Sequence, residues 1–369
     1  MRISDRYIGK QVLLGTLYAV LVLGLVLVLG NLFKQLQPLL VEQKAPLGLV
    51  IRFVINVLPL SLMYTVPWGF LSAVLLVFGR LSSQHEITSF RVAGLSLVRL
   101  SVPVFVIGAG LSLLSLWLNI HVVPHSRASA KQLIYDQAAR DPDSLLKPGV
   151  VQGDFKGDAD QIQKLLIEGK NGEWVEGFHF YILPKTREPA GDLTYVHAAR
   201  AALSVDKEKS QLRVKLEDAY FETRNEKGEM EMAFAGQAEP LVIDLKNPKA
   251  AGLKPNSMSN EQILQEIADN PKMSQEAKVK RRAEITSRYS FSMACLAFAF
   301  VAVPLGLQTR RRDSSHGLIL SLLIGTGYFL VTMLADHFKT DEAAVLVLWA
   351  PNAACVLLGL ILFRRARFK

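Results

Sequence analysis

Cysteine is nearly absent. The two present, Cys295 and Cys355, both fall inside long apolar runs, so no disulfide framework is available to an exterior domain. Any domain outside those runs must hold together by packing. Common enzyme motifs are missing too. No G-x-x-x-x-G-K-[ST] phosphate loop occurs, which excludes ATP hydrolysis of the usual kind, and there is no G-x-S-x-G nucleophile elbow. Nor is there a basic domain. Residues 124–288 carry about 25 Lys/Arg against about 26 Asp/Glu, so the net charge of +9 belongs to the flanking segments. A nucleic-acid-binding protein would gather that charge on one folded surface.

What the chain has in quantity is long apolar sequence. A hydrocarbon layer ~30 Å thick takes ~20 apolar residues per helix. Six runs meet that length: residues 12–33, 53–78, 97–122, 289–307, 318–335 and 343–363. The first exceeds the ~7–15 apolar residues of a signal peptide and no A-x-A-like site follows it, so it is expected to stay as a span. The basic residues then set orientation. Arg2, Arg6 and Lys10 precede the first run, Arg80 and Arg91 lie between the second and third, and Arg99 stands at the start of the third. Arg310, Arg311 and Arg312 separate the fourth and fifth, and Arg364, Arg365, Arg367 and Lys369 close the chain. The alternate loops are poorer, with Lys34 and Lys44 in one, Arg52 bordering the second run, and Lys339 in the other. By the positive-inside rule both termini are expected in the cytoplasm and the large middle block on the far side.

That block reads as β structure. Residues 174–182 are strand-like, and 212–217 alternate strictly between apolar and polar, as a half-buried strand does. Residues 193–196, 230–234 and 240–245 add short runs, with turn signals at Asn171-Gly172 and Lys227-Gly228. A sandwich or jellyroll is expected. From Ser259 to Arg288 the pattern turns helical, opening on Ser259 as a cap. The expected fold is therefore α-helical membrane protein, three spans plus three, around an inserted all-β jellyroll-like domain. Its expected parts are residues 1–123 (three spans), 124–258 (β domain), 259–288 (connecting helix) and 289–369 (three spans).

Several residues invite a functional reading. Pro59 and Pro67 punctuate the second span, as a structural bend or as a hinge beside a lateral opening. His121 and His125 stand four apart, as interfacial histidines or as a metal pair, but Pro124 intervenes and no carboxylate is adjacent. Asp336-His337 fits a solvated helix end or a proton relay. Between spans two and three, Ile87, Phe90 and Ala93 share one face of a short helix flanked by Glu86 and Arg91, with Gly94 as its stop. Such a helix can dock into a partner or lie on lipid headgroups. At the opposite rim, Lys34, Lys44 and Arg52 suit the phosphates of a lipid, or simply snorkel.

The motifs, taken in order, resemble one family. Asp5-Arg6-Tyr7-Ile8-Gly9-Lys10 opens the chain, and Gly79-Arg80-Leu81-Ser82 through His85-Glu86-Ile87-Thr88 leads to Arg91-Val92-Ala93-Gly94-Leu95-Ser96. Asn119 to Pro124, Glu284 to Arg288 and Val303-Pro304-Leu305-Gly306 follow. With the 3 + β + 3 layout they are similar to the LptF/LptG permeases, the membrane halves of the lipopolysaccharide-exporting ABC transporter. The opening is nearer the LptG branch, and Val303-Pro304-Leu305-Gly306 nearer LptF.

The resemblance implies a non-catalytic inner-membrane subunit with no cofactor of its own. It would work with a cytoplasmic ATPase dimer that uses the ATP, a second permease of the same type and a periplasmic bridge of jellyroll fold. Residues of about 81–95 would form the coupling helix, with Glu86 as the acidic contact to the ATPase beside Ile87, Phe90 and Arg91. Lipopolysaccharide would pass from the membrane to the β domain, where Phe178, Phe180, Leu212, Val214 and Leu216 are candidates for its acyl-chain path. Two other readings stay open: a permease for another envelope lipid or lipoprotein, and an envelope adaptor with no transport cycle.

Overall fold

A computed structural model of the chain describes residues 3–43, 47–140, 149, 151–156, 161–171, 174–184, 193–206, 211–224, 230–237, 241–244, 254–271, 273–308, 315–337 and 347–367. It contains two compact units: Met1–Leu36 with Leu47–Ala130 and Leu253–Lys369, and Gln37–Pro46 with Lys131–Gly252.

The first unit is helical. In chain order its elements are α1 (Ile3–Gln43), α2 (Leu47–Ser83), α3 (Glu86–Val92), α4 (Leu97–Trp117), α5 (Val123–Arg140), α6 (Asn260–Asp269), α7 (Gln275–Ser292), α8 (Ala294–Gln308), α9 (Ser315–His337) and α10 (Ala350–Arg367), the outer parts of α1 and α5 belonging to the second unit. Among the described residues five helical stretches are long and apolar enough to cross a membrane: Ile3–Phe33, Val50–Ser83, Leu97–Ala130, Gln275–Leu307 and Gly317–Leu334. The sixth expected run, residues 343–363, is partly covered by α10; residues 341–346 lie outside the described ones. The chain is thus a multi-pass helical membrane protein with a β domain inserted in its sequence.

Composition explains who sits in the middle. α2 and α8 carry bulky apolar residues on several faces, and Phe70, Val74, Phe78, Phe298, Ala302 and Val303 share one buried cluster. Small residues let backbones approach where helices cross. A Cβ built on Gly306 would stand 2.8 Å from the Phe78 Cβ, and one on Gly359 only 2.5 Å from the backbone carbonyl of Phe300. Backbone cannot swing aside as a side chain can. Gly359→Val is therefore expected to push α10 off α8 and destabilise the unit by about 1–3 kcal/mol, seen as a lower melting temperature in detergent. An unchanged melting curve would show that this close approach does not matter. α1 is the opposite case. Leu13, Leu17, Leu21 and Leu25 stay exposed, which suits a helix bathed in lipid rather than protein.

α2 runs as one helix through both Pro59 and Pro67. One local feature differs from the sequence expectation. The third span does not end near Pro124: one wide π turn, Leu118–Val122, joins α4 to α5, which continues to Arg140. Pro124 has no N–H to return to the preceding turn, and widening that turn accommodates the loss. Helix, not strand, therefore occupies residues 123–140.

The second unit holds one antiparallel sheet of β1 (Gln152–Lys156), β2 (Gln161–Asn171), β3 (Trp174–Pro184), β4 (Leu193–Asp206), β5 (Gln211–Arg224), β6 (Met230–Gln237) and β7 (Leu241–Asp244). Strands β1 to β6 pair in sequence order, and β7 also pairs with β5. β6 lies along residues 217–224 of β5 and β7 along 211–214, so the two act as one strand interrupted partway. β1 comes close to β7, which means that the sheet curls. Its buried face carries Leu165, Ile167, Val175, Phe178, Phe180, Val196, Ala198, Ala201, Val214, Leu216 and Ala219.

The alternation of period two slips at one level across the sheet. Inward residues are Val175 then Phe178 in β3, Ala198 then Ala201 in β4, and Leu216 then Ala219 in β5, and these pair across the strands. Gly177 (φ 61°) and Asp218 (φ 52°) take left-handed backbone at this slip. Extra residues of this kind bend a strand and raise its twist, which gives the curl a sequence cause. β1 and β2 were not anticipated, because Leu165-Leu166-Ile167 does not alternate.

Candidate functional site

The segment between α2 and α4 is built by two left-handed residues. His85 (φ 59°) ends the turn after α2 and starts α3; Gly94 (φ 85°) ends it. Beyond Gly94 the Leu95 N–H reaches back to the Phe90 carbonyl at 3.0 Å, and Ser96 then caps α4 by accepting from the Arg99 N–H. Gly94 is the stop its sequence position suggests, because only glycine takes that backbone without strain.

α3 turns its apolar face into its own bundle. Ile87 is 6% exposed and belongs to the main helical core, against which Phe90 also packs. Arg91 is exposed, and Val92 is 84% exposed. Glu86 is half-buried, and the Tyr7 hydroxyl donates to its Oε2 at 3.1 Å. Of the four residues picked out for partner contact, Glu86 and Arg91 stand at the surface, while Ile87 and Phe90 hold the helix down. The surface they leave is completed by Thr88 and Val92.

Sequence reasoning missed what braces this segment. Arg80 Nη2 donates to Gln11 Oε1 at 2.6 Å, and Arg99 Nη2 pairs with Asp5 Oδ2 at 3.0 Å. With Tyr7–Glu86, three contacts tie the start of α1 to the loop around α3. Ser82 Oγ donates to the Leu307 carbonyl at 2.9 Å, tying the end of α2 to that of α8. A faint signal existed: Tyr7 and Gln11 are four apart, polar, and flank the buried pair Ile8 and Val12.

A second polar site grips the chain where it returns from the sheet. Arg288, 5% exposed, donates to Asn260 Oδ1 (2.7 Å) and to the carbonyls of Pro255 (3.0 Å) and Met258 (2.9 Å), with Glu284 at 3.5 Å. Arg127 adds a bond to the Asn256 carbonyl at 3.2 Å. Ser259 caps α6 as expected, in a full capping box with Gln262. The Arg281 guanidinium, bonded to Glu266 at 2.6 and 2.7 Å, holds that carboxyl below its usual range. Deeper in the bundle, Asn119 Nδ2 donates to Ser292 Oγ at 2.8 Å.

The other candidates fall as follows. Arg52 is exposed near the start of α2; Lys34 lies on α1 with its side chain outside the described set, and Lys44 is outside it altogether. Phe178, Phe180, Val214 and Leu216 are brought together in the buried apolar core of the sheet, and Leu212 pairs with Ile243 across β5 and β7. On the opposite face, burial pushes the Tyr195 phenol up to about 12, and its hydroxyl lies 2.7 Å from His179 Nδ1. His125 Nδ1 lies 3.0 Å from the His121 carbonyl, which uses one ring nitrogen. Among the described residues no three metal-ligating side chains gather.

Comparison with known proteins gives a family match. A family model described as "Lipopolysaccharide export system permease LptF/LptG" covers residues 6–365. No curated protein matches the chain.

Proposed function

Because this chain belongs to the LptF/LptG family, whose members are non-catalytic transporter subunits, we propose that it is the permease of an ABC transporter that extracts lipopolysaccharide from the inner membrane. The match over nearly the whole chain carries this reading. A separate cytoplasmic ATPase dimer drives the cycle, docking on the surface formed by Glu86, Thr88, Arg91 and Val92. A second permease of the same family completes the lipid cavity. Both termini face the cytoplasm, and the β domain, a jellyroll-like station in the periplasm, hands the lipid to a bridge protein of similar fold.

Burying acyl chains is worth about 0.8 kcal/mol per CH₂, so pulling several chains from a bilayer needs ATP and a protected path. Phe178, Phe180, Leu212, Val214 and Leu216 serve that path if the curled sheet opens at its free edges. Arg52, with Lys34 and Lys44, meets the lipid's phosphates at the outer rim.

Affinity purification in mild detergent, followed by identification of the chains and lipids retained, tests the reading. The expected set is an ATPase, a second permease and lipopolysaccharide. Retention of a lipoprotein in place of lipopolysaccharide selects the other transport reading, and absence of any ATPase selects the adaptor. Lys34→Ala/Arg52→Ala is expected to lower lipopolysaccharide-stimulated ATP hydrolysis severalfold. Unchanged stimulation and unchanged lipid retention would remove these two residues from the lipid site.

A further inference from the structure

A cavity of about 620 Å³ lies between α1 and α4, at the end of the bundle that carries α3. It is lined from α1 by Arg6, Gly9, Lys10 and Leu13, and from α4 by Arg99, Val102, Pro103 and Val106. Both sets repeat at i, i+3, i+4 and i+7, so one face of each helix supplies its wall. From Arg6 to Leu13 the helix rises about 10 Å, which sets the depth. The floor is close but open: a Cβ on Gly9 would stand 3.7 Å from Pro103 and 4.0 Å from Ile107.

Chemistry divides this cavity along its length. Leu13, Val102, Val106 and Ile107 make one end apolar, and Arg6, Lys10 and Arg99 set three cations at the other. Asp5 pairs with Arg99 there, leaving a surplus of two positive charges from exposed Arg6 and Lys10. Water is a poor occupant of an apolar slot open to a bilayer, and α1 leaves most of its apolar surface uncovered by protein. An apolar slot under a cationic rim is complementary to one amphiphile class, an acyl chain beneath an anionic phosphate head.

We infer that this cavity binds an anionic glycerophospholipid of the leaflet on the α3 side, wedged between α1 and α4. The leaflet rests on the orientation proposed above, with α3 in the cytoplasm. It is a different place from the outer-rim site assigned to the transported lipid. The bound lipid fills the gap between α1 and α4 and sits against the Asp5–Arg99 pair that braces the segment around α3.

The test uses the full chain purified in detergent, with native mass spectrometry after addition of phosphatidylglycerol, phosphatidylcholine or inorganic phosphate. Phosphatidylglycerol is expected to be retained at one per chain, and the other two to be lost. Arg6→Gln/Lys10→Gln, at exposed positions, is expected to weaken retention about tenfold or more, since each surface cation contributes about 1 kcal/mol towards anionic lipid. Val106→Trp, which fills the slot and leaves the cations, is expected to weaken it as well. Equal retention of both lipids, retention of phosphate alone, or no effect of either variant overturns the inference. So does a cross-link from the slot to a helix of another chain in place of lipid. The assay needs neither ATP nor lipopolysaccharide, so failure of the export reading leaves it standing. Labelling of Lys10→Cys by a membrane-impermeant thiol reagent, with the parent chain as blank, reports the leaflet separately; labelling from the outer face overturns the leaflet assignment.

Discussion

Glu86→Lys is expected to abolish co-purification of the ATPase. The carboxylate stands at the rim of α3, and the surface beside it is small once Ile87 and Phe90 are turned inward. Reversing one charge in such a contact removes an attraction and adds a repulsion, a change of about 2–5 kcal/mol for a desolvated pair. That is enough to dissolve a complex at ordinary concentrations. Tyr7→Phe separates docking from bracing. It deletes only the hydroxyl that donates to Glu86 at 3.1 Å, so about 1 kcal/mol is at stake and most of the ATPase should stay bound. Ile87→Ala should act differently again, lowering the stability of the permease itself. An Glu86→Lys protein that retains its ATPase at wild-type stoichiometry would end the coupling role assigned to α3.

Arg288→Met is the second large effect, and it concerns stability. The guanidinium is buried and satisfies Asn260 Oδ1 and two main-chain carbonyls at 2.7–3.0 Å, with Glu284 at 3.5 Å. Methionine keeps much of the volume but leaves the Asn260 amide oxygen and two main-chain carbonyls without this donor. Breaking a buried pair by removing one partner costs about 3–5 kcal/mol. Thermal unfolding in detergent should show a clear drop, and a protease should find the 254–260 segment more readily. Glu284→Gln, which leaves the three hydrogen bonds in place, should cost less. Equal melting of Arg288→Met and the parent would mean that the segment is held by something else.

The parts of the fold that were legible in the sequence are those with a local physical signal. Runs of apolar residues marked the helices, the alternation over 212–217 marked half of β5, and Ser259 and Gly94 marked a helix start and a helix stop. Where the signal was broken, the reading stopped short. Leu165-Leu166-Ile167 hid β2, and the pleat slip at Asp218 shortened the part of β5 that could be recognised. The helix beyond Pro124 was missed because proline usually ends one, and here a π turn takes up its missing donor.

The candidate site was legible in residue type more than in role. Glu86 and Arg91 were found from their place beside an apolar stripe. The stripe itself was read as facing a partner or lipid headgroups, and helical periodicity supports either equally well: spacing puts Ile87 and Phe90 on one face but carries no information on what the face meets. Only the packed bundle shows it meeting the protein's own core.

By itself, then, the sequence determined that the chain crosses a membrane, that a polar β segment interrupts its spans, and where the short helix α3 begins and ends. These follow from hydrophobicity and backbone preference, which act over a few neighbouring residues. The tertiary structure alone decided which side of α3 is free, that Asp5, Tyr7 and Gln11 brace it from 69 to 94 residues away, and that Arg6, Lys10 and Arg99 ring an apolar slot. Those are pairings between distant segments, and they exist only once hydrophobic burial has brought the helices side by side.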